Sequence, residues 1–328
     1  MAIPLQLGFT DYEQTYAKKK TRRQIFLEEM EATVPWESFI ALIRPVYYKP
    51  SAKGGRPPFP LDLMLRIHLL QQWFTLSDPL MEEMLIDTAP CFRRFAGIDM
   101  IEGRIPDETT ILNFRRLLEE HQIAEQIFES VNQSLSEKGV MLKAGTILDA
   151  TIINAPSSTK NQKRERDPEM HSVAKGNQWF FGMRCHIGVD SASGLVHSVV
   201  STAANVHELN TAADRVHGEE RVIYGDAGHI GIEKRDAFKD CGAEMRIAMK
   251  PGQRRVLPDT AEGRLLDLIE TAKAHFRAKV EHPFRIIKCQ FGFRKVYYRG
   301  IRKNDLKLKM LFALANLWTM RERCPCRA

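Results

Sequence analysis

The chain has few features that would assign it to a membrane or to a disulfide-bonded framework. Its six cysteines are scattered along 328 residues, and no Cys-x-x-Cys pair is present. Such scattered thiols are typical of reduced, cytoplasmic proteins. No apolar run approaches the roughly 20 residues that a membrane helix needs. Residues 1–9 lack the basic start and apolar core of a signal peptide. We therefore expect a cytoplasmic protein without a membrane partner.

Two further absences narrow the chemistry. No Gly-x-x-x-x-Gly-Lys-Ser/Thr sequence occurs, so nothing indicates the use of ATP. The histidines of the second half form no His-x-x-x-His pair with cysteine partners, which argues against structural zinc. Internal repeats and low-complexity segments are absent as well. Hydrophobic residues make up 44% of the chain, which is typical of a folded globular protein.

Positive charge is concentrated in one segment. The net charge is +7 and the sequence pI is about 9.1, which indicates a polyanionic partner. Between residues 285 and 309 nine basic side chains stand against one acid, Asp305, which gives +8 for the segment and +7 − 8 = −1 for the rest. The nine are Arg285, Lys288, Arg294, Lys295, Arg299, Arg302, Lys303, Lys307 and Lys309. The basic character is therefore local.

The sequence predicts two domains, residues 1–140 and residues 141–328. In the first, apolar residues recur at helical spacing between residues 60 and 138. Asp107 has the position of an N-cap, and Gly139 is expected to end the last helix. The second domain alternates strand-like and helical patterns, in the order strand, hairpin, helix, strand, helix, strand and long helix. This order predicts a mixed sheet with helices on both faces.

Four details of the second domain are predictions that a structure can test. A polar loop is expected from residue 154 to about residue 178, and a helix over residues 209–217. A long helix is expected from about residue 262 to 290, with a kink or restart at Pro283. One apolar stripe of that helix is expected to face the core. Its members are Leu265, Ile269, Ala272, Phe276, Val280, Phe284 and Ile287.

Two aspartates stand where apolar, strand-like runs end. Asp149 lies within Ile-Leu-Asp-Ala-Thr, and Asp226 lies within Tyr-Gly-Asp-Ala-Gly. A carboxylate inside a buried run is unfavourable unless it is paired, hydrogen-bonded or bound to a metal. Taken alone, each aspartate also fits a structural role at a strand end or in a turn.

Glu281 lies on the predicted long helix, with Arg277 four residues before it and Lys288 seven residues after it. These neighbours fit a solvated, salt-bridged helix face. They also fit a site in which the acid binds a cation and the bases hold phosphates. Together with Asp149 and Asp226, Glu281 would complete a carboxylate set for two divalent cations. Such a pair activates water and stabilises the leaving oxygen in phosphodiester cleavage.

These motifs together resemble those of bacterial insertion-sequence transposases of the DDE class, most closely the insertion sequence five family. The resemblance covers nearly the whole chain. It rests on GRPP at 55–58, PDETT at 106–110, DAT at 149–151, APSSTK at 155–160, GNQW at 176–179, HIGVD at 186–190, GDAG at 225–228 and EHPFR at 281–285. It implies an α/β, ribonuclease-H-like catalytic domain behind an all-α DNA-binding domain. Asp149, Asp226 and Glu281 would be the catalytic, metal-binding triad, with Mg²⁺ as the cation and Mn²⁺ as a substitute.

The chain departs from the related families at two positions. Those families carry a Tyr–Arg–Glu–Lys pattern on the helix of the third acid, and here Ala274 stands at the tyrosine position. His229 stands three residues after the second aspartate, where tyrosine is common. The roles of both positions stay open. Trp179 is expected to pack on the sheet, with stacking on a distorted base near the cut as the alternative.

The residues and the resemblance together predict a DNA transposase. It would cut double-stranded DNA at terminal inverted repeats and join the ends to target DNA, as a homodimer in the active complex and in association with the bacterial nucleoid. Two alternatives stay open: a nuclease that never joins strands, and a repeat-binding protein that has lost catalysis. The predicted DNA contacts are Arg277, Arg285, Lys288, Arg294 and Lys295.

Overall fold

The structure is a computed structural model that describes residues 19–48, 56–99, 103–239 and 241–321. The chain divides into two compact units, one formed by residues 1–127 with 317–328 and the other by residues 128–316. The division falls inside a helix, α7, that runs from Ile123 to Glu137. The predicted domain boundary at residue 140 therefore stays a prediction.

The described residues before the sheet are helical, as predicted. Asp107 caps its helix by accepting a hydrogen bond from the Thr110 amide at 2.8 Å, which confirms its role as N-cap. Phe39, Trp73 and Phe92 lie at the centre of the core of the first unit. The helices are α1 (Arg22–Thr33), α2 (Trp36–Ile43), α3 (Leu61–Phe74), α4 (Asp78–Glu83), α5 (Pro90–Ala96), α6 (Glu108–Glu120) and α7 (Ile123–Glu137).

The second unit is built on one six-stranded mixed sheet. Its strands are β1 (Gly145–Asn154), β2 (His171–Lys175), β3 (Gln178–Asp190), β4 (Val196–Ala203), β5 (Val222–Gly225) and β6 (Glu244–Ile247). The strand order is β2-β3-β1-β5-β6, and β4 shares one edge of β3 with β2. β1 runs antiparallel to β3 and parallel to β5, which is parallel to β6. This topology is that of the ribonuclease-H-like fold, as predicted.

Helices pack on this sheet because its central strand is apolar. Ile147, Leu148 and Ile153 of β1 have no exposed surface, as expected for a strand that has neighbours on both sides and cover on both faces. The helices of this part of the chain are α8 (Asp236–Lys239), α9 (Pro251–Arg255), α10 (Ala261–Arg277), α11 (Glu281–Arg285) and α12 (Ile301–Met320).

Two predictions of local structure in the second domain are wrong. The predicted polar loop contains a strand, β2, which pairs with the start of β3 through a two-residue turn at Gly176-Asn177. Gly176 has a φ of +61°, which suits the first central position of such a hairpin turn. The expected helix over residues 209–217 is two 3₁₀ turns, Glu208–Thr211 and Ala213–Arg215. Because each turn is so short, periodicity does not separate it from an α-helix.

The predicted long helix is broken, and half of its apolar stripe faces outward. A 3₁₀ turn at Ala278–Val280 separates α10 from α11, so the restart comes at Glu281 itself and before Pro283. Val280, Phe284 and Ile287 are buried, which confirms the second half of the stripe. Two members of the first half, Leu265 and Ile269, are 58% and 43% exposed, so the prediction is wrong there.

Candidate active site

The sheet brings the two predicted aspartates together. Leu148 of β1 pairs with Gly225 of β5 in parallel register, so Asp149 and Asp226 are the next residues on two neighbouring strands. Neighbouring strands lie about 4.8 Å apart, which places the two carboxylates at one edge of the sheet. Asp226 directly follows the end of β5, as predicted, whereas Asp149 is the fifth of the ten residues of β1 and lies inside that strand, so its predicted place at a strand end is wrong.

Asp149 is held in a setting that disfavours its ionised form. Its Oδ1 accepts a hydrogen bond from the Ala150 amide at 2.7 Å. Burial raises the pKa of Asp149 to about 6, and the negative charges of Asp226 and Glu281 add to the rise, whereas Arg277 opposes it. A divalent cation beside Asp149 would remove this penalty, because it would compensate the carboxylate charge that burial leaves unscreened.

Asp226 is fixed through one oxygen. Its Oδ1 accepts the Gly228 amide at 3.0 Å and faces His229 Nδ1 at 2.8 Å. Burial alone would raise the pKa of Asp226, but the His229 hydrogen bond and the charge of Arg277 hold it below its usual range. Both of these hydrogen bonds reach Oδ1. Oδ2 therefore remains available for a ligand, and the side chain is 35% exposed.

The close approach of His229 depends on a glycine. A Cβ atom at Gly225 would lie 2.9 Å from the Cβ atom of His229, closer than side chains tolerate. His229 is fully buried, so a direct role in stacking on DNA is excluded by its position. His229 instead contacts Asp226 through Nδ1, and this contact orients the Asp226 carboxylate.

A buried arginine connects the surrounding segments. Arg215 is fully buried and donates to the backbone oxygens of Asp149 at 3.3 Å and Glu208 at 2.8 Å. Its Nη2 also lies 3.3 Å from His229 Nε2. A guanidinium has donors only, so His229 Nε2 must accept, and the ring proton sits on Nδ1, where it donates to Asp226. The Arg215 side chain thus holds together β1, the 3₁₀ turn Glu208–Thr211 and His229.

Glu208 is a site residue that the sequence reasoning missed. Ligand atoms of Glu208, Asp226 and His229 all lie within 4.8 Å of one another. Burial raises the pKa of Glu208, and the neighbouring charge of Asp226 raises it further. The only sequence signal was an acid within a run, Asn-Val-His-Glu-Leu, that carries no strand or helix pattern. The link between this turn and the strand ends exists only in the folded chain.

Glu281 and Arg277 reach the same region from the helical side. The 3₁₀ turn between α10 and α11 contacts β1. Arg277 lowers the pKa of both aspartates, and Glu281 raises that of Asp149, which places both side chains within electrostatic reach of the pair. Glu281 is exposed. The Nε of Arg277 is buried and has no hydrogen-bond partner in the described part of the chain.

The other predicted DNA contacts lie in different surroundings. Lys288 is half-buried and donates to the Thr151 hydroxyl and to the Ile152 carbonyl, so it is tied to β1. Arg285, Arg294 and Lys295 are exposed. Lys295 forms a bridge with Asn154 at the end of β1, five residues beyond Asp149. A strand rises about 3.3 Å per residue, so this bridge lies about 16 Å along β1 from Asp149.

Trp179 does not pack on the sheet. It is 76% exposed at the tip of the β2–β3 hairpin, so that prediction is wrong. The reason is that β3 continues beyond β1 at this end, so that residues 178–181 pair only with β2 in this sheet. An indole in this position keeps both faces open to solvent.

Carboxylate oxygens at a sheet edge with an arginine beside them suit divalent cations and phosphate. Comparison with known proteins gives the same class. Residues 141–317 match the family described as a transposase DDE domain, and residues 14–117 match a second transposase domain family, DUF772. The chain belongs to the transposase DDE domain family. Its function is therefore that of a DNA transposase.

Membership of this family implies DNA as the partner and the use of a divalent cation. One solved structure, a crystal structure of the Mos1 strand transfer complex, is 14% identical and covers 86% of this chain and 100% of its own. Its TM-score of 0.17 is too low to establish a shared fold. No helix among the described residues is long and apolar enough to cross a bilayer.

Proposed function

We propose that this transposase cuts DNA at the ends of an insertion sequence and joins them to a target, with Mg²⁺ held by Asp149, Asp226 and Glu281. The observation that carries the proposal is the pairing of Leu148 with Gly225, which sets the two aspartates side by side. When bound, the cations supply a water of lowered pKa and positive charge at the leaving oxygen. Mn²⁺ would serve as a substitute.

The donor set fits this type of cation. Asp226 presents Oδ2, and Asp149 presents a carboxylate whose ionised form burial disfavours. Because the proton of His229 sits on Nδ1, the histidine cannot ligate there, and the set consists of oxygens alone. Oxygen-only sets suit Mg²⁺ and Mn²⁺, whereas structural zinc is held mainly by sulfur and nitrogen ligands.

The protein's own groups position the phosphodiester. Arg277 has a buried, unpaired Nε beside both aspartates and would bind the scissile or an adjacent phosphate. Arg285, Arg294 and Lys295 are exposed and would hold flanking phosphates. Lys288 would fix the end of β1, and its positive charge would add to the electrostatic attraction for DNA. Cutting leaves a 3′ hydroxyl, which attacks a target phosphodiester in line. The helical first unit would bind the terminal inverted repeats.

The active complex would be a homodimer, because two ends of an element are cut and joined together. An exposed apolar face supports an interface between two copies. Exposed apolar patches on a folded domain commonly mark such contacts. The face is formed by Val256, in the segment between α9 and α10, and by Leu265, Leu266, Leu268 and Ile269 on α10.

The test is cleavage of a plasmid that carries the DNA flanking this gene, with wild type and Asp226→Asn, in Mg²⁺ and in chelator. We expect Mg²⁺-dependent cuts at the repeat ends, which the variant loses. A second assay supplies precut ends and measures joined product. Cutting without joining would favour a nuclease. Binding of repeat DNA without cutting in any metal would favour a protein that only occupies repeats, and equal cutting by both proteins would exclude Asp226 as a ligand.

A further inference from the structure

Glu208 has a carboxylate oxygen that the fold leaves without a partner. Its Oε2 is buried and has no hydrogen bond in the described part of the chain. Its other oxygen, Oε1, lies 3.4 Å from Arg184 Nη1, a long and weak contact. Burying a carboxylate oxygen without a partner is unfavourable, so a group retained in this state calls for a ligand.

The unpaired oxygen faces the aspartate pair. Glu208 Oε2 lies 3.9 Å from His229 Nδ1, and this nitrogen lies 2.8 Å from Asp226 Oδ1. The proton on Nδ1 is already donated to Asp226, so it does not neutralise Glu208. Two carboxylates therefore share a small volume with a single N–H between them, which Asp226 accepts, and a divalent cation would stabilise this arrangement.

The backbone holds Glu208 in this place. Arg215 donates to the carbonyl of Glu208 and to the carbonyl of Asp149, so one buried guanidinium sets the spacing of the two residues. The Thr211 hydroxyl donates to the Glu208 carbonyl as well, at 3.2 Å. The side chain is thus positioned by contacts that are independent of its own carboxylate.

We infer that Glu208 is a fourth carboxylate of the site and binds, through Oε2, the cation that Asp226 also binds. This inference rests on the proposed function, because it adds a ligand to the same site. Asp149, Asp226, Glu281 and Glu208 would then offer four negative charges, which two divalent cations balance. His229 is a positioning residue in this arrangement and not a ligand.

The test measures Mn²⁺ binding to the full chain without DNA, by titration calorimetry and by the EPR signal of free Mn²⁺. The proteins are wild type, Glu208→Gln, Asp226→Asn and, as a matched control, Glu233→Gln, which changes an exposed glutamate of the 3₁₀ turn Ile232–Lys234. We expect Glu208→Gln to weaken binding at one site by on the order of tenfold or more, since even outer-shell changes cost about 10–100-fold. Glu233→Gln should bind as wild type does.

The outcomes separate the inference from the proposed function. If Asp226→Asn loses affinity but Glu208→Gln keeps it, Glu208 is not a ligand and the proposed function stands. If Asp226→Asn also binds normally, and wild type cuts no DNA, the proposed function fails as well. The melting temperature without metal gives a second readout. Glu208→Gln should melt at or above the wild-type temperature because it removes a like charge, and a variant that does not fold would contradict the inference.

Discussion

At the scale of the residue, the site is a set of carboxylates whose charge the protein alone does not balance. Arg215 is committed to backbone oxygens and to His229, and Arg277 is the cation that lowers the pKa of both aspartates. Burial, together with the neighbouring carboxylate charges, raises the pKa of Asp149 and that of Glu208. Such perturbed acids in a shared site are typical of metal-dependent catalysis.

The tautomer of His229 leads to a prediction with a matched pair of variants. In His229→Asn the amide nitrogen takes the place of Nδ1 and keeps donating to Asp226. In His229→Gln it takes the place of Nε2, so Asp226 loses a charge-assisted hydrogen bond worth about 1.5–3 kcal/mol. We expect the Gln variant to have the larger losses of unfolding free energy in urea and of cleavage rate. Equal losses in the two variants would contradict the assigned proton position.

The raised pKa of Asp149 predicts a pH dependence of the metal effect. Since its folded pKa of about 6 lies above the unfolded value, the metal-free protein loses stability as pH rises from about 4 to about 6 and stays at the lower level above that. A cation binds the ionised carboxylate, so the rise in melting temperature caused by Mg²⁺ should be largest above about pH 6 and vanish towards pH 4. Melting curves with Mg²⁺ and with chelator measure it. The metal-free Asp149→Asn protein should lack this contribution, and a slope equal to that of wild type would argue against Asp149 as its source.

At the scale of the element, helical periodicity indicated which side chains lie on one stripe but not what covers them. From Phe276 onward the stripe packs on the sheet, where Phe276 stacks on Tyr224 with ring centres 5.1 Å apart. Towards the start of α10 the helix extends past the short strands β5 and β6, so its apolar residues face solvent. The hairpin of β2 and β3 is a similar case, because β3 continues past its neighbour β1. In both cases, a segment that extends beyond its neighbouring elements leaves its side chains exposed to solvent.

The exposed face of α10 gives a prediction at this scale. Leu268→Glu places a charge in the centre of the proposed interface between two copies, so the complex with terminal-repeat DNA should fall from two protein copies to one. Light scattering after gel filtration measures the mass. Leu80→Glu is the control, because Leu80 is an exposed leucine on α4, with 42% of its surface accessible against 66% for Leu268. An unchanged mass for Leu268→Glu would show that the copies meet elsewhere.

At the scale of the whole molecule, the basic segment is divided by the fold. Lys307 is only 8% exposed and lies over the rings of Phe293, Tyr297 and Tyr298, so the predicted patch is smaller than its nine residues. Arg285, Arg294, Lys295, Arg299, Arg302 and Lys303 remain exposed. Lys295 pairs with Asn154 at the end of β1, the strand that carries Asp149, and this pairing connects the charged surface to the site.

Phosphate contacts at this surface predict a change in salt dependence. In the double variant Arg294→Glu and Lys295→Glu, fewer counterions are released on binding. The slope of log K against log salt should therefore become shallower by about 1–2. Fluorescence anisotropy with repeat DNA at several salt concentrations measures it. The control is Lys239→Glu, which reverses the charge of an exposed lysine on α8. It should leave the slope near that of wild type. Equal slopes for all three proteins would place the DNA elsewhere.

The sequence by itself determined the helical first half, the apolar central strand and the acid that follows the end of β5. These features are local, since caps, periodicity and buried runs act within a few residues. Only the tertiary structure decided the meeting of Asp149 with Asp226 in parallel register, the inclusion of Glu208, the burial of His229 and the exposure of Trp179. Each depends on which distant segment lies alongside. Arg215 shows the reason: its contacts with Asp149, Glu208 and His229 join three segments that no periodic pattern relates.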